Sequence, residues 1–273
     1  MLIDFHTHAF PDAIAPRAMV KLSFGSGGML PSTDGTAAGL RASMKRGGVD
    51  LSVMLSIATN AHQMRSVNDF AASLNGTEGI LAFGSVFPFA PDALEEIERI
   101  KALGLKGIKL HPDYQGFDAD DERLFPLYKK ISSLGLITVF HAGQDYGFPP
   151  PYGGTPDKLL RAFRQFESPV VAAHYGGLNM GEEVLRLLAG QGFYFDTSFS
   201  YAQMPRYYAE RIFEKQGAEH MLFGTDTPWH TPEEELRLIR ALGLSDGDWE
   251  AVTHGNAERL LGLSPGAETT KIS

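Results

Sequence analysis

The chain has 273 residues, of which 43% are hydrophobic and 21% charged, a formal charge of -9 and no cysteine. That balance supplies a large apolar core and excludes a disordered chain, a disulfide framework or thiolate metal site, and a surface built to hold nucleic-acid phosphates. No stretch reaches the roughly 20 apolar residues of a membrane span, and the N-terminus lacks the basic segment and apolar run of an export signal, so a cytoplasmic protein without membrane partners is expected.

The first apolar run, "LIDFHTH", predicts a strand over 2–8 that ends in His6 and His8. A long connection, 9–35, leads to a helix over 36–46 and a strand over 49–57. Helix and strand then alternate: helix 63–75, strand 80–87, helix 91–103, strand 105–111, helix 120–134, strand 136–142. The pattern continues with helix 155–166, strand 169–175, helix 182–189, strand 192–198, helix 204–216, strand 220–226 and helix 232–242. A last helical piece, 246–261, precedes "SPGAETTKIS", read as a frayed tail over 264–273.

Eight strands, each followed by a helix, predict an α/β chain folded as one closed (β/α)8 barrel over 1–263, the size such barrels need. No GxGxxG follows a strand, which disfavours a nicotinamide-binding sheet. The connections 9–35 and 143–154 are long and leave the C-terminal ends of strands, where barrel enzymes carry their sites. Gly25, Gly27 and Gly28 predict one flexible lid there, and Pro149, Pro150 and Pro151 one stiff one.

Residues two apart on a strand face the same side, so His6 and His8 can converge on one cation at nitrogen–metal distances near 2.0–2.1 Å. Strands four, five, six and eight end in His111, His141, His174 and Asp226. One strand-end histidine alone is ordinarily a core residue satisfied by a single hydrogen bond. Five on one rim, joined by a carboxylate, point to a metal site with nitrogen and oxygen ligands.

At these residues the chain resembles the amidohydrolase superfamily, and within it the amidohydrolase-related branch that includes aminocarboxymuconate semialdehyde decarboxylase. The resemblance runs through "DFHTH", "GIKLHP", "FHAG", "AAHYGG", "FGTDTPW" and "HGNAERLLGL", nearly the whole length. It implies a metal-dependent TIM barrel in which His6, His8, His141 and Asp226 hold one divalent ion, Zn2+ ahead of Mn2+ or another metal. His174 is then the residue that orients or activates a water, holds substrate, or ligates. Binuclear members carry a carboxylated lysine or a glutamate on strand four, where this chain has Lys109 and His111. Lys109 is open between a carbamate, a substrate-binding ammonium and a lysine paired deeper in the barrel; a single ion is expected.

An ion with an open position brings the pKa of its water from about 15.7 towards 7. Asp226 is the expected base for that water, and His174 or His111 the expected donor to a developing oxyanion. The expected activity is hydrolysis of a small amide, ester or lactone. The same apparatus could release carbon dioxide from an aromatic or enoic acid, and a silent ligand-binding barrel is the reading from another class. Candidate substrate contacts are Lys109, Phe10, Arg17, Arg65, Tyr114, Phe117, Asp145, Tyr146, Phe148 and Trp229, with Asp196 and Ser198 open between site and packing. The partners expected are a small-molecule substrate and, in a homodimer, a second copy of the chain.

Overall fold

Strands β1 (Ile3–Thr7), β2 (Leu51–Leu55), β3 (Ile80–Ser85), β4 (Gly107–Leu110), β5 (Ile137–Phe140), β6 (Val170–Ala172), β7 (Tyr194–Asp196) and β8 (Met221–Leu222) form one parallel sheet in chain order. The protein was analysed as a computed structural model that describes residues 1–263; the expected tail, 264–273, lies outside the described residues. The segment after β8 returns to β1. Phe5 N–H donates to Phe223 O (2.8 Å), Asp226 N–H to His6 O (2.7 Å) and His8 N–H to Thr227 O (2.7 Å), which closes the (β/α)8 barrel. All eight predicted strands are present in shorter form. The eighth ends at Leu222 because the N–H groups of Phe223, Gly224 and Thr225 donate to Val252 O, Thr197 Oγ1 and Asp4 Oδ1 rather than to the backbone of a neighbouring strand, and Asp226 takes φ +66°.

Helices α1 (Ala15–Gly25) and α2 (Ala37–Gly47) join β1 to β2, followed by α3 (Met64–Leu74), α4 (Ala93–Ala102), α5 (Pro112–Gln115) and α6 (Phe125–Ser133). After β5 come α7 (Pro156–Phe163), α8 (Gly181–Leu187), α9 (Arg206–Gln216), α10 (Pro232–Ala241), α11 (Asp246–Glu250) and α12 (Asn256–Leu261). Local chemistry sets the ends. The Thr36 side chain accepts from Gly39 N–H and Gly48 closes α2 in the left-handed region, while Thr231 and Glu234 form a capping box ahead of α10. The connection 9–35 contains α1, and the piece 246–261 is interrupted by a π turn over Ala251–Gly255. None of the described helices is long and apolar enough to cross a membrane.

Two apolar layers hold the barrel. One packs strands against the surrounding helices, with Met54, Ile108, Leu110, Phe140 and Phe195 among its strand residues. The other draws Ile3, Phe5, Val53, Leu55, Phe83, Val139, Val171 and Leu222 together with Ala257 and Leu261 of α12. Because residues from six strands meet there, it fills the barrel interior. On β1 the pairing with β2 shifts between Asp4↔Ser52 and Thr7↔Met54, so β1 carries one extra residue. This bulge re-aims the strand: Phe5 stays in the interior layer, and the adjacent His6 also turns inward, above it, towards Lys109 and Asp196.

Candidate metal centre and active-site cavity

The C-terminal rim of the barrel surrounds a cavity of about 170 Å³ lined by His6, His8, Lys109, His111, His141, His174 and Asp226 at its polar end. Phe10, Ile57, Leu178, Phe199 and Trp229 form much of the rest.

His6, His8 and Asp226 converge most tightly. The Nε2 atoms of the two histidines are 3.2 Å apart, and Asp226 Oδ1 lies 3.3 Å from His6 Nε2 and 3.0 Å from His8 Nε2. The opposite ring nitrogens are already engaged. His6 Nδ1–H donates to Asp196 Oδ2 (2.8 Å) and His8 Nδ1–H to Leu55 O (2.7 Å), so each imidazole presents an Nε2 lone pair to the other. Two lone pairs facing at that distance form no hydrogen bond and call for a cation between them. Ligand atoms held about 2.0–2.1 Å from one tetrahedral ion lie roughly 3.3 Å apart, which matches all three separations. The donor set therefore fits a divalent ion with nitrogen and oxygen preference.

Asp196 on β7 is the anchor beneath this triangle. Besides His6 it accepts from His174 N–H (3.0 Å), Ser198 N–H (3.1 Å) and Ser198 Oγ–H (2.5 Å). A carboxylate behind a ligating imidazole fixes its tautomer and orientation. Burial works against both carboxylates, yet the His6, His174 and Lys109 neighbours hold Asp196 below the usual range, and His8 and His6 do the same for Asp226. Burial, with Lys109 adding to it, brings His6 down to about 3, leaving its Nε2 unprotonated and available to a metal.

His174 Nδ1 lies 3.1 Å from Ser198 O, to which it donates, which leaves its Nε2 facing His141 Nδ1 at 3.1 Å. His141 Nε2–H points to Gln144 O (3.3 Å), so this is a second pair of opposed lone pairs. His111 stacks on His141, ring centroids 4.1 Å apart, and its Nε2 lies 3.2 Å from Asp145 Oδ2. Burial lowers all three histidines, further helped for His111 by Lys109 and for His141 by His111. Lys109 Nζ sits 3.2 Å from His6 Nε2, and burial pulls its ammonium down to about 8.

Tyr114, Tyr146 and Trp229 line the cavity as the sequence suggests; Phe148 stands behind Tyr114, ring centroids 4.8 Å apart. Arg17 and Arg65 do not reach it. Arg17 is exposed on α1, whose buried face is Ala15 and Met19, and Arg65 on α3 pairs at the surface with Asp92 at 3.5 Å. Phe117 is buried in the outer apolar layer instead. Sequence reasoning left Asp196 and Ser198 undecided and missed Phe199, whose only sequence signal is its place just past the end of β7.

The family model described as Amidohydrolase matches residues 3–263. No curated protein matches the sequence. Among solved structures, an uncharacterised TIM-barrel protein from Bordetella bronchiseptica superposes with a TM-score of 0.77 at 21% identity, covering 96% of this chain and 98% of that one. The 5-carboxyvanillate decarboxylase of Sphingomonas paucimobilis gives 0.71 at 18% identity, with 96% and 99% covered. A protein from Pseudomonas putida described as a putative 2-pyrone-4,6-dicarboxylic acid hydrolase gives 0.66 at 17% identity, with 96% and 97% covered. At such identities the likeness is one of fold.

Proposed function

We propose, from the premise that the chain belongs to the amidohydrolase family, that this cavity hydrolyses a small amide, ester or lactone with one divalent ion, Zn2+ in the first instance. His6, His8 and Asp226 would hold it; His141, expected from the sequence in the same ligand set, lies instead in a group with His111 and Asp145. When bound, the ion supplies the Lewis acid that brings water towards a pKa of 7 and polarises a carbonyl. The chain's own groups do the rest. Asp226, kept ionised, accepts the proton released as water adds to the carbonyl carbon, and returns it to the leaving nitrogen or oxygen as that bond breaks. His174, with its proton committed to Ser198 O, keeps Nε2 as an acceptor that orients the water. Lys109 faces the same space as a cation for the substrate oxygen.

The observation that carries this reading is the triangle of His6 Nε2, His8 Nε2 and Asp226 Oδ1 with both Nδ1 atoms pinned. Its test is elemental analysis of purified protein, followed by turnover of a panel of aryl esters, lactones and anilides before and after chelation. One equivalent of metal and chelator-sensitive cleavage are expected. No ion bound or taken up would overturn the reading.

Decarboxylation of a one-ring acid is the second reading, favoured by cavity size. About 170 Å³ is close to the roughly 150 Å³ that holds a benzene ring in a protein interior, and the far wall is apolar and aromatic. Here the ring carbon takes a proton as its bond to the carboxylate carbon breaks and carbon dioxide leaves. The relative whose description names a decarboxylase agrees with it. Carbon dioxide release from hydroxybenzoates, without ester or lactone cleavage, would move the assignment to this reaction.

A further inference from the structure

Glu235, in the first turns of α10, is completely buried. A buried carboxylate is costly unless donors surround it, and three do: Ser200 N–H (2.9 Å), Tyr201 N–H (3.1 Å) and His230 Nδ1–H (2.5 Å). It thereby ties the segment after β7 to the segment after β8. Phe199 lies where the two meet. Its backbone takes φ +54°, a conformation a phenylalanine holds only when its surroundings impose it. Its ring stacks on His230 with centroids 4.6 Å apart, meets His174 edge-on at 6.2 Å and lines the cavity.

We propose that Glu235 and His230 are positioning residues that clamp Phe199 as the apolar wall against which a substrate ring packs. The proposal rests on the metal-site reading above, because the wall has a role only if the substrate's oxygens sit at the His6–His8–Asp226 end. Neither clamp residue belongs to the triangle. Glu235 acts through His230 and through the backbone of Ser200 and Tyr201, and Phe199 is the member that touches the ligand. All three donors end on one oxygen, Oε1, which a carboxamide could keep in place; Glu235→Met, of similar length, removes the acceptor altogether and releases the loop.

The test is calorimetric titration of zinc-loaded protein with benzoate and with acetate. Both offer a carboxylate to the ion; only benzoate has a ring to meet Phe199. Wild type is expected to bind benzoate more tightly than acetate. Glu235→Met and Phe199→Leu should each weaken benzoate about tenfold, the scale of one aromatic contact, and leave acetate within about twofold and zinc at one per chain. The double variant should be no weaker than Phe199→Leu alone, since both remove one interaction. If Glu235→Met fails to fold or to keep zinc, His230→Phe, which retains the stack and drops the bond to Glu235, carries the same expectation. Unchanged benzoate binding in a folded clamp variant, equal weakening of both acids, or full additivity in the double variant would overturn the clamp. Wild type that takes up no zinc would instead overturn the metal-site reading, and the clamp with it, whereas zinc-loaded wild type that binds neither acid would overturn the clamp alone.

Discussion

His6 and His8 face each other through Nε2 atoms 3.2 Å apart, and the group that fixes the first of them, Asp196, comes from the seventh strand. Replacing Asp196 with Asn keeps the shape but lets the amide offer N–H to His6. A partner behind a ligating histidine is worth about 10–100-fold in metal affinity, so Asp196→Asn is expected to weaken zinc by that factor. His8→Ala should abolish stoichiometric binding. Competition with a chromogenic chelator measures both; equal affinity in Asp196→Asn and wild type would remove Asp196 from the site.

Lys109 places an ammonium 3.2 Å from His6 Nε2, beside the expected ion. Like charges so close oppose one another, and Lys109→Met should therefore tighten zinc by about tenfold while raising KM for whichever substrate is found. Weaker zinc binding in Lys109→Met would show that the side chain serves as a carbamate ligand.

Asp4 is buried under the seam, accepts from His6 N–H and Thr225 N–H, and burial pushes its carboxyl up to about 8. The folded chain thus keeps a proton there that the unfolded chain releases near its ordinary pKa of 3.8. Stability from this group is complete below that ordinary value and is lost as pH rises through about 8. Asp4→Asn, which mimics the protonated form, should lose less melting temperature than wild type between pH 5 and pH 8. Parallel melting curves for the two proteins across that range would contradict it.

Gly143, just past β5, has φ +86°, and a Cβ there would stand 2.2 Å from Leu178 N. Gly143→Ala is expected to cost about 1–3 kcal/mol from the backbone conformation alone, and more from the clash. Chemical denaturation would measure it, with His141 displaced alongside because Gly143 fixes the same loop.

The barrel was legible because each strand is an apolar run and each helix has its own period and punctuation, which are local properties. The rim histidines and Asp226 were legible because each ends a strand. Other features depend on partners far away in the chain. Strict alternation along "IDFHT" would put Phe5 and His6 on opposite faces; the bulge that brings both inward exists only through the pairing of β1 with β2. Asp196 matters because β7 stands near β1 in the closed barrel, across 190 positions. Helix α1 was hidden because Ile14 offers no capping side chain and Val20 and Phe24 lie in solvent, which blurs its apolar stripe. Arg65 drew notice for its charge, but it is exposed and its partners, the half-buried Asp92 and the buried Glu96, belong to the next unit.

The barrel's seam runs between the segment after β8 and β1, and the triangle straddles it: two imidazoles stand on one lip, a carboxylate on the other. A cation seated there is a rivet, and any unfolding route that parts the lips must first release it. A free-ion level a thousandfold above the dissociation constant would stabilise the fold by about 4 kcal/mol. Metal starvation would then expose the chain to proteases, lowering its abundance in the cell as well as its turnover.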